Sequence, residues 1–256
     1  MKKYIGGALA VLASCTLLSA QSDTTWNTAK STHFIVYYKN ASEKFVNELI
    51  DKAEGYYDKI ADDLGFRRYN FWLWDDRAKI YIHDNASDYQ QATGLPEWSS
   101  GCAYAAQKTI YTFPYARDFF DTVLPHEMGH IIFREFVGFG NKAIPIWLDE
   151  GVASYEQEVR FAMGPFIKRA RNDGRFISLT QLSRLNLQAM PDANMVYLFY
   201  AESVNIVDYL IKKFGKEIFI TFCQDLRDGK DFRHALSKNY PFGDIEELGE
   251  AWERQL

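Results

Sequence analysis

The chain has 256 residues, of which 47% are hydrophobic, 16% aromatic and 25% charged, and its formal net charge is −5. That balance fits one large globular domain, or a core with a smaller subdomain, and excludes a low-complexity or repeat architecture. With no large basic field, the chain offers nothing for general nucleic-acid binding.

Lys2 and Lys3 precede an apolar run from Ile5 to Leu18, and L-S-A (18–20) leads into the polar Q-S-D-T-T. This pattern predicts a secretory signal peptide over residues 1–20, too short to span a membrane and cleaved near Ala20. Leu12-Ala13-Ser14-Cys15 offers a rival, since it resembles a bacterial lipoprotein box that would leave Cys15 acylated. Either way the mature chain is expected outside the cytoplasm, periplasmic or secreted, and meets a membrane only if Cys15 is its anchor. Export leaves Cys102 and Cys223, which can form a disulfide or stand as two separate thiols.

H-F-I-V-Y-Y (33–38) reads as a strand. From Ser42 to Leu64, Phe45, Leu49, Ala53, Tyr56, Ile60 and Leu64 recur at helical spacing, with Ser42 as cap and Gly65 as stop. F-W-L-W (71–74) is either an exposed aromatic platform for glycans or core packing under a loop. K-I-Y-I-H (79–83) is a second strand, A-S-D-Y-Q-Q-A-T-G a brief helix ending at Gly94, and 102–113 a hairpin or one long strand.

After Pro114 the pattern turns helical. Asp118 or Asp121 can cap a helix running to about Val137, and Pro125 must lie in its first turn. A second helix is expected from Ile146 to about Phe161. Further helices are expected near 165–172, 193–214, 216–227, 231–238 and 244–256. The fold class is therefore α+β: a sheet-containing half (21–140) followed by an all-helical half (141–256), with no linker between them.

The junction carries L-P-H-E-M-G-H (124–130). Positions i and i+4 share one helical face, so His126 and His130 can both aim ring nitrogens at one ion. Glu127, about 100° around the helix, is poorly placed as a ligand of that face but can reach a water held there. A catalytic zinc needs a third protein ligand and an open position. Glu150, 20 residues past His130 in I-P-I-W-L-D-E-G-V-A-S-Y, is the candidate. An acid between Trp147, Leu148, Val152 and Ala153 requires a compensating charge. Asp149 reads as a surface or capping acid, and His33, His83 and His234 as strand or surface histidines.

H-E-M-G-H followed by W-L-D-E-G is similar to the gluzincin branch of zinc metallopeptidases, and more narrowly resembles bacterial peptidase-MA-like domains. Looser similarity extends through F-I-V-Y-Y, K-I-Y-I-H, G-C-A-Y, Y-A-E-S-V-N-I-V-D-Y-L (200–210) and I-E-E-L-G-E-A-W (245–252). The resemblance implies a thermolysin-like active-site helix and one Zn²⁺ held by His126, His130 and Glu150. It also implies Glu127 as the group that activates water, Tyr200 as an oxyanion donor, and a strand within 102–112 that holds the substrate main chain. The implied activity is an exported zinc peptidase acting on a peptide or protein. Two alternatives remain open at the sequence: a non-catalytic zinc-stabilised or glycan-binding surface module, and a zinc amidase acting on cell-wall peptides. The sequence departs from the family pattern at Ser154, where an acidic partner for a ligand histidine is expected, so what orients the imidazoles is open. Tyr197, one turn before Tyr200, is a second candidate donor.

Overall fold

The computed structural model describes residues 26–66, 72–97, 99–157, 163–187, 190 and 193–256. The signal segment 1–20 and Cys15 lie outside the described residues, as does Phe71 of the aromatic cluster.

The fold is α+β. Five strands, β1 (Asn27–Lys30), β2 (Phe34–Tyr38), β3 (Ala78–Ile82), β4 (Gly101–Tyr104) and β5 (Thr109–Thr112), form a mixed sheet in the order β1-β2-β3-β5-β4. β2, β3 and β5 run parallel, while β1 and β4 pair antiparallel at the two edges. The region 102–113 is thus a hairpin, closed by a 3-10 turn (Ala105–Gln107) and by Lys108 in the left-handed region at φ 48°. Strand β1 has no alternating apolar signal; Asn-Thr-Ala-Lys becomes a strand by pairing with β2.

Alternation along the strands sorts the two faces. Phe34, Val36, Ala78, Ile80, Ile82 and Ile110 turn inward and are fully buried. Against them pack α1 (Glu43–Asp63) and α3 (Leu124–Val137). Ser42 caps α1 by accepting from the Phe45 N–H at 3.3 Å. The buried stripe of α1 uses Tyr57 where the sequence suggested Tyr56. Steps of three and four residues fit either tyrosine, and packing rather than spacing selects Tyr57, while Tyr56 is half-buried at the margin of the core. Tyr57 then stacks on His33 with ring centroids 3.8 Å apart. The 71–74 cluster divides: Trp72 is buried against Phe34 and Tyr57, and Trp74 is 81% exposed.

The remaining helices are α2 (Ala86–Thr93), α4 (Ile146–Tyr155), α5 (Met163–Asn172), α6 (Leu179–Leu182), α7 (Ala193–Phe214), α8 (Lys216–Arg227), α9 (Phe232–Asn239) and α10 (Ile245–Glu253). Helix α4 stops at Tyr155, earlier than its apolar pattern suggested, and residues 158–162 lie outside the described residues. None of the described helices is long and apolar enough to cross a membrane. Cys102 on β4 and Cys223 in α8 are not joined in a disulfide.

Two glycines set the spacing at the centre. A Cβ on Gly129 of α3 would lie 2.9 Å from the Ala153 Cα of α4, and one on Gly151 of α4 would lie 2.5 Å from the Ser203 carbonyl oxygen of α7. The absence of side chains at both positions lets α4 wedge between α3 and α7 at backbone contact.

Candidate metal centre

Helix α3 is entered through a π-helical turn (Phe119–Val123), in which the Val123 N–H reaches back to the Asp118 carbonyl at 3.2 Å. Asp118 sits at φ 54° and makes no side-chain cap, and Pro125 falls in the first turn of α3, where a missing N–H costs nothing. A wide turn of this kind often marks a functional helix. Here it leads directly into the two histidines.

His126, His130 and Glu150 converge. The Nε2 atoms of the two histidines are 3.2 Å apart, and Glu150 Oε2 lies 3.5 Å from the first and 3.3 Å from the second. Four ligands at about 2.0–2.1 Å around a tetrahedral ion stand roughly 3.3–3.4 Å from one another. The triangle therefore has the edge length that a zinc ion requires. All three side chains are buried.

The charges at the centre bear on the same question. Asp149 Oδ1 lies 3.2 Å from His130 Nδ1, so that nitrogen donates there and Nε2 is turned to the centre. Glu150 Oε2 and His126 Nε2 face that nitrogen. Neither Glu150 oxygen has a well-aligned donor among the described residues. A buried carboxylate packed at such distances against two imidazoles needs positive charge beside it, from a bound cation or from a proton on His130, whose pKa burial lowers but Glu150 and Asp149 together raise well above the ordinary value.

Asp149 is the principal correction to the sequence reading. It is buried, not a surface or capping acid. Its second oxygen takes Arg134 Nε and Nη2, both at 2.8 Å, and Arg134 also donates to the Asn141 carbonyl at 3.2 Å. Arg134 is one turn beyond His130 on α3, so one helical face carries the ligand and the counter-ion of the residue that orients it. Burial raises the Asp149 carboxyl, but the His130 and Arg134 charges outweigh it and hold the group below the usual carboxylate range. The other imidazole has a weaker partner: Ser154 Oγ is 3.5 Å from His126 Nδ1. Histidine orientation is thus shared between an acid next to the third ligand and a hydroxyl one turn later. The only sequence sign of the acid was its adjacency to Glu150.

Glu127 is buried beside the triangle and is not one of its corners. Burial pushes its carboxyl above the ordinary range and Glu150 adds to this, while His126, His130 and a hydrogen bond from the Ala103 N–H pull the other way. Ala103 belongs to β4, so the edge strand touches the acid directly. Tyr200 on α7 sets its ring edge-on to His126, with centroids 6.2 Å apart. Tyr197 instead packs against Phe166 of α5. His33 bonds Glu54 at 2.6 Å, His83 lies on the outer sheet face, and neither these nor His234 joins a metal-competent cluster among the described residues.

A comparison with curated proteins returns no match. Residues 73–256 match the sequence profile of the peptidase MA superfamily, a stretch that begins just before β3 and contains all of the residues gathered at the centre. Two histidines one helical turn apart, completed by a glutamate from the next helix, are what the gluzincin resemblance leads one to look for, and on that match the chain belongs to the peptidase MA superfamily.

Proposed function

We propose that this chain is an exported, zinc-dependent peptidase that hydrolyses peptide bonds with an activated water. The observation that carries the reading is the triangle of His126, His130 and Glu150 with a further buried acid, Glu127, next to it and outside it. A structural zinc is normally closed by four protein ligands and has no use for a spare carboxylate. Among the described residues no fourth ligand joins the three.

When bound, zinc supplies Lewis acidity, polarising a carbonyl and lowering the pKa of a water toward about 7. The chain's own residues do the rest. Glu127, with its carboxyl shifted upward by burial, accepts a proton from the attacking water and returns it to the leaving amine. The Ala103 N–H holds the carboxylate in place for both transfers. Tyr200, beside His126, donates its hydroxyl to the developing oxyanion. Asp149, backed by Arg134, and Ser154 keep the imidazoles aimed. β4 is the sheet edge next to the centre, so an extended substrate can add to it as a further strand. Export follows from the signal-like residues 1–20.

The test pairs metal analysis with cleavage of a peptide library by wild type and Glu127→Gln. Zinc near one per chain in both, with cleavage lost in the variant, is expected. Full cleavage by Glu127→Gln would remove the mechanism.

A further inference from the structure

The side of the sheet that faces away from α1 and α3 carries a row of tyrosines in register across three strands. Tyr37 on β2 pairs with Tyr81 on β3, and Tyr81 with Tyr111 on β5. The rings are stacked, at 4.6 Å and 12° for the first pair and 5.2 Å and 16° for the second. Cys102 and Tyr104 of β4 continue this face to the edge beside Ala103 and Glu127. At the far side Trp26 meets Tyr81 edge-on, and Lys39 lies over the Trp26 ring at 4.9 Å.

The charge on this face is one-sided. The five strands contain no aspartate or glutamate, although the chain as a whole is acidic. Lys30 and Lys79 face outward with Ile35 and Thr109 in the neighbouring row, and among the described residues neither makes an ion pair. Asp84 and Asp88 stand at its other end beside His83, where Asp84 is taken up by Asn40, and at the lysine end Asp76 is drawn to Lys108 at 3.5 Å.

We propose that this face is a docking surface for an acidic, extended segment of the protein substrate, a reading that rests on the peptidase assignment above. Mutual stacking covers both faces of Tyr81, so the row does not offer an open ring face for a sugar. It presents ring edges, hydroxyls and ammonium groups instead. Burial and the neighbouring phenols raise the pKa of Tyr81 and Tyr111, so both stay hydrogen-bond donors. Donors with unpaired lysines complement carboxylates. Tyr89 of α2 covers the row at Cys102, so a substrate chain leaving β4 can fold back across it at the Tyr104 end.

The test uses the full chain and a fluorescein-labelled peptide of alternating Glu and Gly, followed by anisotropy at low salt. The double variant Lys30→Glu/Lys79→Glu is expected to bind about tenfold more weakly, and wild-type binding to fade as salt rises. Tyr37→Phe/Tyr81→Phe keeps the stacks and removes two hydroxyls, with a several-fold loss expected. Unchanged circular dichroism spectra and melting temperatures establish that the variants fold. Equal binding by wild type and both double variants would overturn the proposal. So would tighter binding of heparin or of a neutral oligosaccharide than of the acidic peptide. No binding of the acidic peptide by wild type, with intact cleavage of neutral peptides, would remove the substrate class alone. Docking that depends on these residues in a chain that cleaves no peptide would support the surface and remove the peptidase reading.

Discussion

Replacing Asp149 by asparagine tests how the metal centre is held. In the wild type one carboxylate oxygen stands 3.2 Å from His130 Nδ1, and the other takes two Arg134 nitrogens at 2.8 Å. Asparagine keeps the shape and removes the charge that both partners face. Residues that orient a metal-bound histidine are typically worth 10–100-fold in metal affinity, or about 1.4–2.7 kcal/mol. Arg134 would also lose its counter-ion. Its side chain is 15% exposed and it retains the Asn141 carbonyl, so the stability loss should fall near 1–3 kcal/mol, below the 3–5 kcal/mol of a fully buried pair. Zinc affinity is measured by competition with a chromogenic chelator, and stability by thermal unfolding of the metal-free protein. Arg134→Gln leaves the contact between Asp149 and His130 intact and should cost less zinc affinity than Asp149→Asn. A folded Asp149→Asn protein that binds zinc within twofold of wild type would refute the role given to Asp149.

Gly151→Ala must place a methyl 2.5 Å from the Ser203 carbonyl oxygen and 2.8 Å from Val207 Cγ2, and should destabilise by about 1–3 kcal/mol or more in chemical denaturation. Gly55→Ala, on an open stretch of α1 with nothing within 4 Å, is the control and should be neutral or stabilising. Tyr200→Phe should lower the cleavage rate by on the order of 10²–10³ with zinc affinity unchanged; an unaltered rate would remove the tyrosine from the mechanism. Glu202 is buried, accepts from the Ile177 N–H at 3.1 Å, and has its carboxyl pushed up to about 8, first by burial and then by Glu253. A carboxyl raised above its unfolded value contributes stability that is complete below about 4.5 and lost as pH rises through about 8. Melting temperature should therefore fall from pH 5 to 8.5 more steeply in wild type than in Glu202→Gln, and parallel curves would contradict this assignment.

Much of the fold follows from local signals. Ser42 and the stripe below it define α1, Asn85 and Gly94 bracket α2, and the β-prone runs at 34–38 and 78–82 are strands. Misses occur where a segment takes its structure from its neighbours. Asn27–Lys30 is a strand because β2 offers an edge, and the π-helical turn before α3 depends on how the 113–123 segment packs, not on its composition. Trp72 and Trp74 look alike in the sequence, yet one is buried under the sheet and the other is in water.

The sequence alone determined which side chains share the face of the centre. Helical periodicity is fixed by backbone geometry, so H-E-x-x-H necessarily aligns two imidazoles and offsets the glutamate between them. It also pointed to Glu150 as the missing corner. Only the tertiary structure decided what holds those residues, because Asp149, Ser154 and Ala103 reach the site from α4 and β4, across distances set by helix contact and strand pairing. The approach of α3, α4 and α7 is governed by glycines at two crossing points, and a crossing point is a property of two helices at once. The tyrosine row likewise exists only in register: three tyrosines from separate strands become one surface because β2, β3 and β5 lie parallel side by side.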